Sequence, residues 1–226
     1  MEAVFQDLEL MDYKEAWVYQ EDIFNKIIDF KLNKISSSTP GYLLFVEHPH
    51  VYTLGKNGKK NNLLINDSFL EKIQASFYEI DRGGDITYHG PGQLVGYPVI
   101  DIELAGLTLK KYIFLVEEAI IQMLAGYEIS AERLNGATGV WLDVINPAKI
   151  RKICAIGVRA SRYVTMHGFA LNVNTDLKYF SYINPCGFID KGITSMEKEL
   201  GEKIDMQEVK QNLKKNLADT LFLKFK

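Results

Sequence analysis

Residues 82 to 95 read Arg82-Gly83-Gly84-Asp85-Ile86-Thr87-Tyr88-His89-Gly90-Pro91-Gly92-Gln93-Leu94-Val95, with four glycines and a proline among hydrogen-bonding side chains. Apolar, β-rich runs flank this stretch on both sides. Glycine loses more conformational freedom on folding than any other residue, so such a segment is costly to order unless its backbone must approach something closely. Composition leaves two readings open, a tight surface turn and a loop that meets a ligand. A dinucleotide fingerprint is excluded, because Gly90-x-Gly92 is followed by its next glycine at Gly96, one position too late, and no Gly-Lys-Ser/Thr of a phosphate-binding loop follows.

Periodicity around this segment gives an alternation of helices and strands. Trp17, Phe24, Ile27 and Ile28 predict an amphipathic helix over 13 to 32, ending near Asn33. Residues 42 to 48 and 51 to 55 are short strands interrupted by His48-Pro49-His50, since proline cannot continue a ladder. Residues 67 to 75 suit a short helix capped by Asp67 or Ser68, and 77 to 82 a strand. Tyr112, Leu115, Val116, Ala119, Ile120 and Met123 recur at helical spacing, which predicts a core helix over 109 to 125. Strands follow near 138 to 144, 151 to 160 and 163 to 174, the last two joined as a hairpin through Ala160-Ser161-Arg162. A capping box at Thr194-Ser195-Met196-Glu197 opens a short helix, and Asp205 starts a final one carrying Val209, Leu213, Leu217 and Leu221. No repeat or linker-like stretch divides the chain, so residues 1 to 226 are expected to form a single α+β domain.

Charge and cysteine content narrow the function classes. With 26 Lys and Arg against 29 Asp and Glu, the chain offers no basic field for nucleic acid or anionic lipid. Two cysteines, Cys154 and Cys186, make no disulfide framework, and no Cys/His cluster has metal-ligand spacing. A reducing, cytoplasmic setting is therefore expected. The acidic N-terminus MEAVFQDLELMDYKEAW does not read as a signal peptide, and the apolar run from Tyr112 to Tyr127 is broken by Glu117, Glu118 and Gln122 and is too short to span a bilayer.

Four ordered blocks carry a family resemblance: EHP and YTLG within 47 to 55, RGGDITYHGPGQLVGYP from Arg82, KICAIGVR at 152 to 159, and HGFALNVN followed by INPCG at 167 to 187. Over roughly residues 40 to 200 the chain resembles the lipoyl(octanoyl) transferases of lipoate synthesis. The resemblance implies the fold of biotin and lipoate protein ligases, with mixed and antiparallel sheets flanked by helices. It implies transfer of an octanoyl group from octanoyl-acyl carrier protein to a lysine of lipoyl domains, the glycine cleavage H protein among them. No metal or other cofactor is required, because the donor is already an activated thioester.

Such chemistry calls for a nucleophile that takes up the acyl group and releases it again. Cys186, between Pro185 and Gly187, suits that role, although a small buried hydrophobe is the commoner use of a cysteine. Cys154, between Ile153 and Ala155, reads as core. The resemblance assigns Lys152 as the catalytic partner, where an ammonium would favour the thiolate and donate a proton to the departing thiol. It also assigns the acyl pocket and acceptor entrance to Arg82, Gly83, Gly84, Asp85, Ile86, Thr87, Tyr88 and His89, faced by Ala155, Ile156 and Gly157 and by Gly168, Phe169 and Ala170. For His89 two readings stay open, positioning of the acceptor amine and a loop strut bonded to a neighbour. Lys56, Lys59, Lys60, Arg159 and Arg162 are candidates for local basic patches toward acidic partner proteins.

Overall fold

A computed structural model of the chain describes residues 1–33, 41–184 and 191–226. Among these the elements run β1 (Glu2–Leu10), α1 (Tyr13–Leu32), β2 (Gly41–Glu47), β3 (Val51–Leu54), α2 (Asp67–Lys72), β4 (Ser76–Glu79), β5 (Ile86–His89) and β6 (Gln93–Val99). There follow α3 (Leu109–Ala125), β7 (Glu132–Leu134), β8 (Ala137–Leu142), β9 (Arg151–Ser161), β10 (Val164–Asn172), β11 (Gly192–Ile193), α4 (Met196–Leu200), α5 (Met206–Leu221) and β12 (Lys224–Phe225).

The large sheet has the order β12-β1-β2-β6-β10-β9-β8-β7, with β11 added alongside β9, and β4-β3-β5 form a small second sheet. The central pairs β2/β6, β6/β10 and β10/β9 are antiparallel, whereas β1/β2, β1/β12 and β11/β9 are parallel. The mixed α+β architecture expected from the sequence is therefore present. The hairpin between β9 and β10 forms, but its turn is Arg162-Tyr163, both with positive φ, because Ala160 and Ser161 still pair with Thr165 and Val164.

Both faces of the central strands are covered, which is why β2, β6 and β10 are apolar along nearly their whole length. Leu43, Phe45, Phe169 and Leu171 point toward α3 and α5, where Val116, Ile120, Leu213 and Leu217 complete the main core. Leu44, Val46, Val95 and Met166 point the other way and pack under Phe24 and Ile27 of α1. The last helix follows its predicted spacing closely: Val209, Leu213, Leu217 and Leu221 are all fully buried.

Three further local readings change. β1 was not expected; it pairs in parallel with β2 and β12, contacts that leave no local sequence signal. The helix α2 is capped by Asn66, whose side chain accepts from the Phe69 N–H, instead of by Asp67 or Ser68. The cap of α4 is Ser195, not Thr194, because the Thr194 hydroxyl donates to Glu199 and its carbonyl accepts from Asn172.

The four histidines are all held toward the neutral form by burial. The His48 Nδ1–H donates to the Met11 carbonyl at 2.7 Å, and its Nε2 accepts from the Tyr97 hydroxyl at 2.8 Å. The His89 Nδ1–H donates to Gln93 Oε1 at 2.8 Å, and its ring stacks on Tyr13 with centroids 5.8 Å apart. Burial pushes His48 down to about 4 and His89 down to about 3.

Two expectations follow from this packing. Leu213→Ala should cost about 2–5 kcal/mol in denaturant unfolding, against about 0.5 kcal/mol or less for Leu104→Ala, whose side chain is 69% exposed. Below pH ~6.5 an unfolded histidine takes up a proton that folded His48 and His89 refuse, so the unfolded state binds more protons and stability falls as pH drops from about 6.5 toward 4. The unfolding free energy measured at pH 7, 6 and 5 should steepen toward a slope of two protons from this pair, and the double variant His48→Gln, His89→Gln should flatten that slope.

Candidate active site

The glycine-dense loop is held by the arginine that begins it. Arg82 is buried, and its guanidinium donates to the Thr53 carbonyl at 2.7 Å, the Asp85 carbonyl at 2.7 Å and the Gly83 carbonyl at 3.0 Å. A buried guanidinium needs its donors satisfied, and here backbone carbonyls satisfy them while the loop is pinned around it. Asp85 turns inward as well, accepting from the Ile86 N–H at 2.6 Å and from Asn62 Nδ2 at 2.7 Å and 2.9 Å. The N–H groups of Gly55, Lys56 and Asn57 donate to the carbonyls of Asp85, Arg82 and Gly84, so the polar loop after β3 lies against the glycine segment.

Two strands face this loop. The Gly83 N–H donates to the Val158 carbonyl at 3.0 Å, and a Cβ on Gly157 would come within 2.7 Å of the Gly83 carbonyl oxygen. Only glycine allows that approach. Between loop and strands lies a cavity of about 380 Å³. Gly83, Gly84 and Thr87 form one wall, Ala155, Ile156 and Gly157 the opposite wall, Leu109 and Ile113 of α3 an apolar side, and Lys152 lines it too. A smaller chamber of about 50 Å³ adjoins it across Ala155 to Gly157 and is bounded by His89, His167, Gly168 and Phe169.

Among the described residues, the pocket positions assigned by resemblance are brought together, with one exception. Arg82 to Thr87 line the main cavity, Ala170 borders both spaces, and His89, Gly168 and Phe169 border the smaller chamber. Tyr88 lines neither; fully buried, it stacks on Tyr179 at 5.0 Å and lies 5.4 Å from Tyr52 in the core of the small sheet. Strand alternation explains this, because Tyr88 faces the side opposite Thr87 and His89. His89 is enclosed by Gln93, Tyr13 and His48, which favours the strut reading over the positioning one.

Cys154 is fully buried, and burial pushes its thiol up, as befits a core residue. Cys186 lies outside the described residues. Before the undescribed stretch the Asn184 N–H donates to the Asn62 carbonyl, and after it Ile193 lines the cavity and pairs with Lys152. Arg159 pairs with Asp81 and its guanidinium lies 4.9 Å over Phe24, and Lys60 pairs with Glu79, so neither is an uncommitted charge.

Further residues of the site escaped the sequence reading. Gln93 Nε2 donates to Asn172 Oδ1 at 2.9 Å, Asn172 Nδ2 donates to the Thr194 carbonyl at 2.9 Å, and the Thr194 N–H donates to the Lys152 carbonyl at 2.9 Å. With His89 at its head, this buried series ties the glycine segment to the strand that carries Lys152. The signal was present, since a polar residue inside a strand buried on both faces needs a dedicated partner. His167 has a left-handed backbone (φ 60°), its Nε2–H donates to Asp81 at 3.1 Å, and its Nδ1 faces no partner among the described residues. Histidine and arginine together hold the Asp81 carboxyl below the usual carboxylate range.

Comparison with known proteins agrees with this geometry. Residues 12–218 match the model of the lipoyl protein ligase A/B catalytic domain. An octanoyltransferase of Bacteroides fragilis is 55% identical over 224 residues, covering 99% of this chain and 100% of the relative. Among solved structures, lipoate-protein ligase A bound with ATP superimposes with a TM-score of 0.75 at 17% identity, over 100% of this chain and 88% of the other. A biotin protein ligase from Aquifex aeolicus gives a TM-score of 0.55 at 14% identity, over 98% and 70%. The two superpositions establish the fold, and the match along the whole sequence establishes the family: this chain belongs to the lipoyl(octanoyl) transferases, acyltransferases of protein lipoylation within the lipoyl protein ligase A/B catalytic-domain family.

Proposed function

We propose that the enzyme takes an octanoyl group from octanoyl-acyl carrier protein, holds it as a thioester on Cys186, and passes it to a lysine amine of lipoyl domains, the glycine cleavage H protein included. In the first half-reaction the Cys186 thiolate attacks the donor carbonyl, the carrier's C–S bond breaks, and the Lys152 ammonium gives its proton to the departing thiolate. In the second, the acceptor amine attacks the acyl-enzyme, neutral Lys152 takes up the amine's proton, and Cys186 leaves as thiolate while the amide forms. A reducing cytoplasm keeps such a thiol available.

The observation that supports this reading best is the position of Lys152. It stands on the wall of a cavity that combines glycine backbone and aliphatic side chains such as Leu109, Ile113 and Ile156 with a polar side at Arg82, Asp85 and Asn172, a setting suited to an acyl chain that ends at a reactive carbonyl. Each methylene such a cavity buries is worth about 0.8 kcal/mol, so a six-carbon donor should bind about 15-fold less tightly than an eight-carbon one.

Intact-mass measurement after incubation with octanoyl-acyl carrier protein, without ATP or acceptor, tests the proposal. Wild type should gain one octanoyl group that hydroxylamine removes, Cys186→Ala should gain none, and Lys152→Ala should load at least 100-fold more slowly, in the range general acid–base catalysis contributes. Absence of any mass gain in wild type would exclude the acyl-enzyme and turn attention to ATP-dependent activation of the free acid.

A further inference from the structure

Strand β8 alternates in a way the core alone does not explain. Val140 and Leu142 enter the main core under α3 and α5, so Trp141 between them points to the other face of the sheet. Across the ladder its register partner is Lys152, while Val140 pairs with Cys154, and a register shift between these two pairs leaves Ile153 and Cys154 both in the core. The Lys152 ammonium consequently lies 4.5 Å from the centroid of the Trp141 ring. The ring is almost wholly buried, and its Nε1–H donates to the Ala137 carbonyl at 2.9 Å, so the indole cannot turn away.

The backbone beside this pair is shaped to permit the contact. Gly139 has φ 125°, and a Cβ there would stand 2.6 Å from the Cys154 carbonyl oxygen and 3.5 Å from Lys152 Cε. The buried carboxylate of Glu117, on α3, fixes that turn by accepting from the Gly139 N–H at 3.0 Å, and Arg133 neutralises it at 3.1 Å. Among the described residues, charged or titratable groups near Lys152 include Arg82 and Asp85 across the cavity, and on its own strand Arg151, paired with Asp143 and Glu199, and the buried Cys154 thiol.

We propose that Trp141 is a positioning residue for the octanoyl transfer: its ring face holds the Lys152 ammonium on the cavity wall and favours the charged amine over the neutral one. The π-face of indole attracts a cation and has no comparable attraction for a neutral amine. The ring thereby keeps a proton ready for the departing carrier thiol, and yields when Lys152 must turn to the acceptor amine. The inference rests on the role given to Lys152 above.

Two measurements test it. Trp141 is one of two tryptophans, so Trp17→Phe leaves it as the single indole. Its emission, excited at 295 nm, should titrate at alkaline pH as Lys152 loses its proton, and that transition should vanish in Trp17→Phe, Lys152→Met. An identical emission profile with and without Lys152 would overturn the proposal, whether or not the enzyme forms an acyl-thioester. Second, in octanoyl loading at pH 7, Trp141→Leu should be about 5- to 10-fold slower, with its alkaline limb about 0.5–1 pH unit lower, while Trp141→Phe, which keeps a π-face, should stay within about threefold of wild type. Equal slowing of both variants with unmoved pH limbs would reduce Trp141 to packing and overturn the proposal. Loading failure in wild type itself would instead strike the acyl-enzyme reading, leaving the emission titration to judge the ring.

Discussion

The site depends on one buried cation. Arg82 opens the glycine segment, and its guanidinium donates to carbonyl oxygens of the loop and of β3 and to the Thr53 hydroxyl. An arginine in this position cannot shed its charge, so the loop must wrap it or the protein must leave donors unpaired in a low-dielectric setting, which costs several kcal/mol. Wrapping the arginine fixes the carbonyls inward, and Gly83, Gly84 and Thr87 then border the cavity with little side-chain bulk. Replacing the guanidinium by an apolar chain of similar length would free the loop from β3 even though no atom of the cavity's opposite wall had changed.

That arrangement explains why so much of the site is backbone. Gly157 and Gly83 touch through atoms every residue possesses, and the main chains are close enough that any side chain would separate them. A wall built in this manner is smooth, apolar on average and rigid, because its shape is set by hydrogen bonds between loop and strand instead of by rotamers. Such a wall suits a flexible acyl chain, which offers no polar handle and must be recognised by fit and by water exclusion.

Legibility in the sequence followed the range of the interactions. The helices α1, α3 and α5 were plain because one apolar face repeats at 3.6 residues, and the β9/β10 hairpin because its turn is local. β1 was not, since Gln6, Asp7 and Glu9 interrupt its apolar positions and its partners come from distant parts of the chain. Among site residues, the glycine segment declared itself by composition, but reading it as one continuous block hid the alternation that sends Tyr88 into the small sheet's core. Gln93 and Asn172 were readable in principle as polar interruptions of fully buried strands. Trp141 was not, because its significance comes from a register shift that no local pattern announces.

The pairing of Trp141 with Lys152 also resolves a tension in using one lysine twice. A lysine that must first give a proton and then accept one works best if neither form is trapped. A carboxylate partner would hold the ammonium by several kcal/mol in a partly buried site and oppose the second step. An aromatic face holds it by roughly 0.5–2 kcal/mol, enough to bias orientation yet within reach of thermal release. The two oxygens of the buried Glu117 are committed to the Gly139 N–H and to Arg133. Trp141 thus gives the lysine a reversible contact on the cavity wall, while the Glu117 carboxylate stays bound behind Gly139.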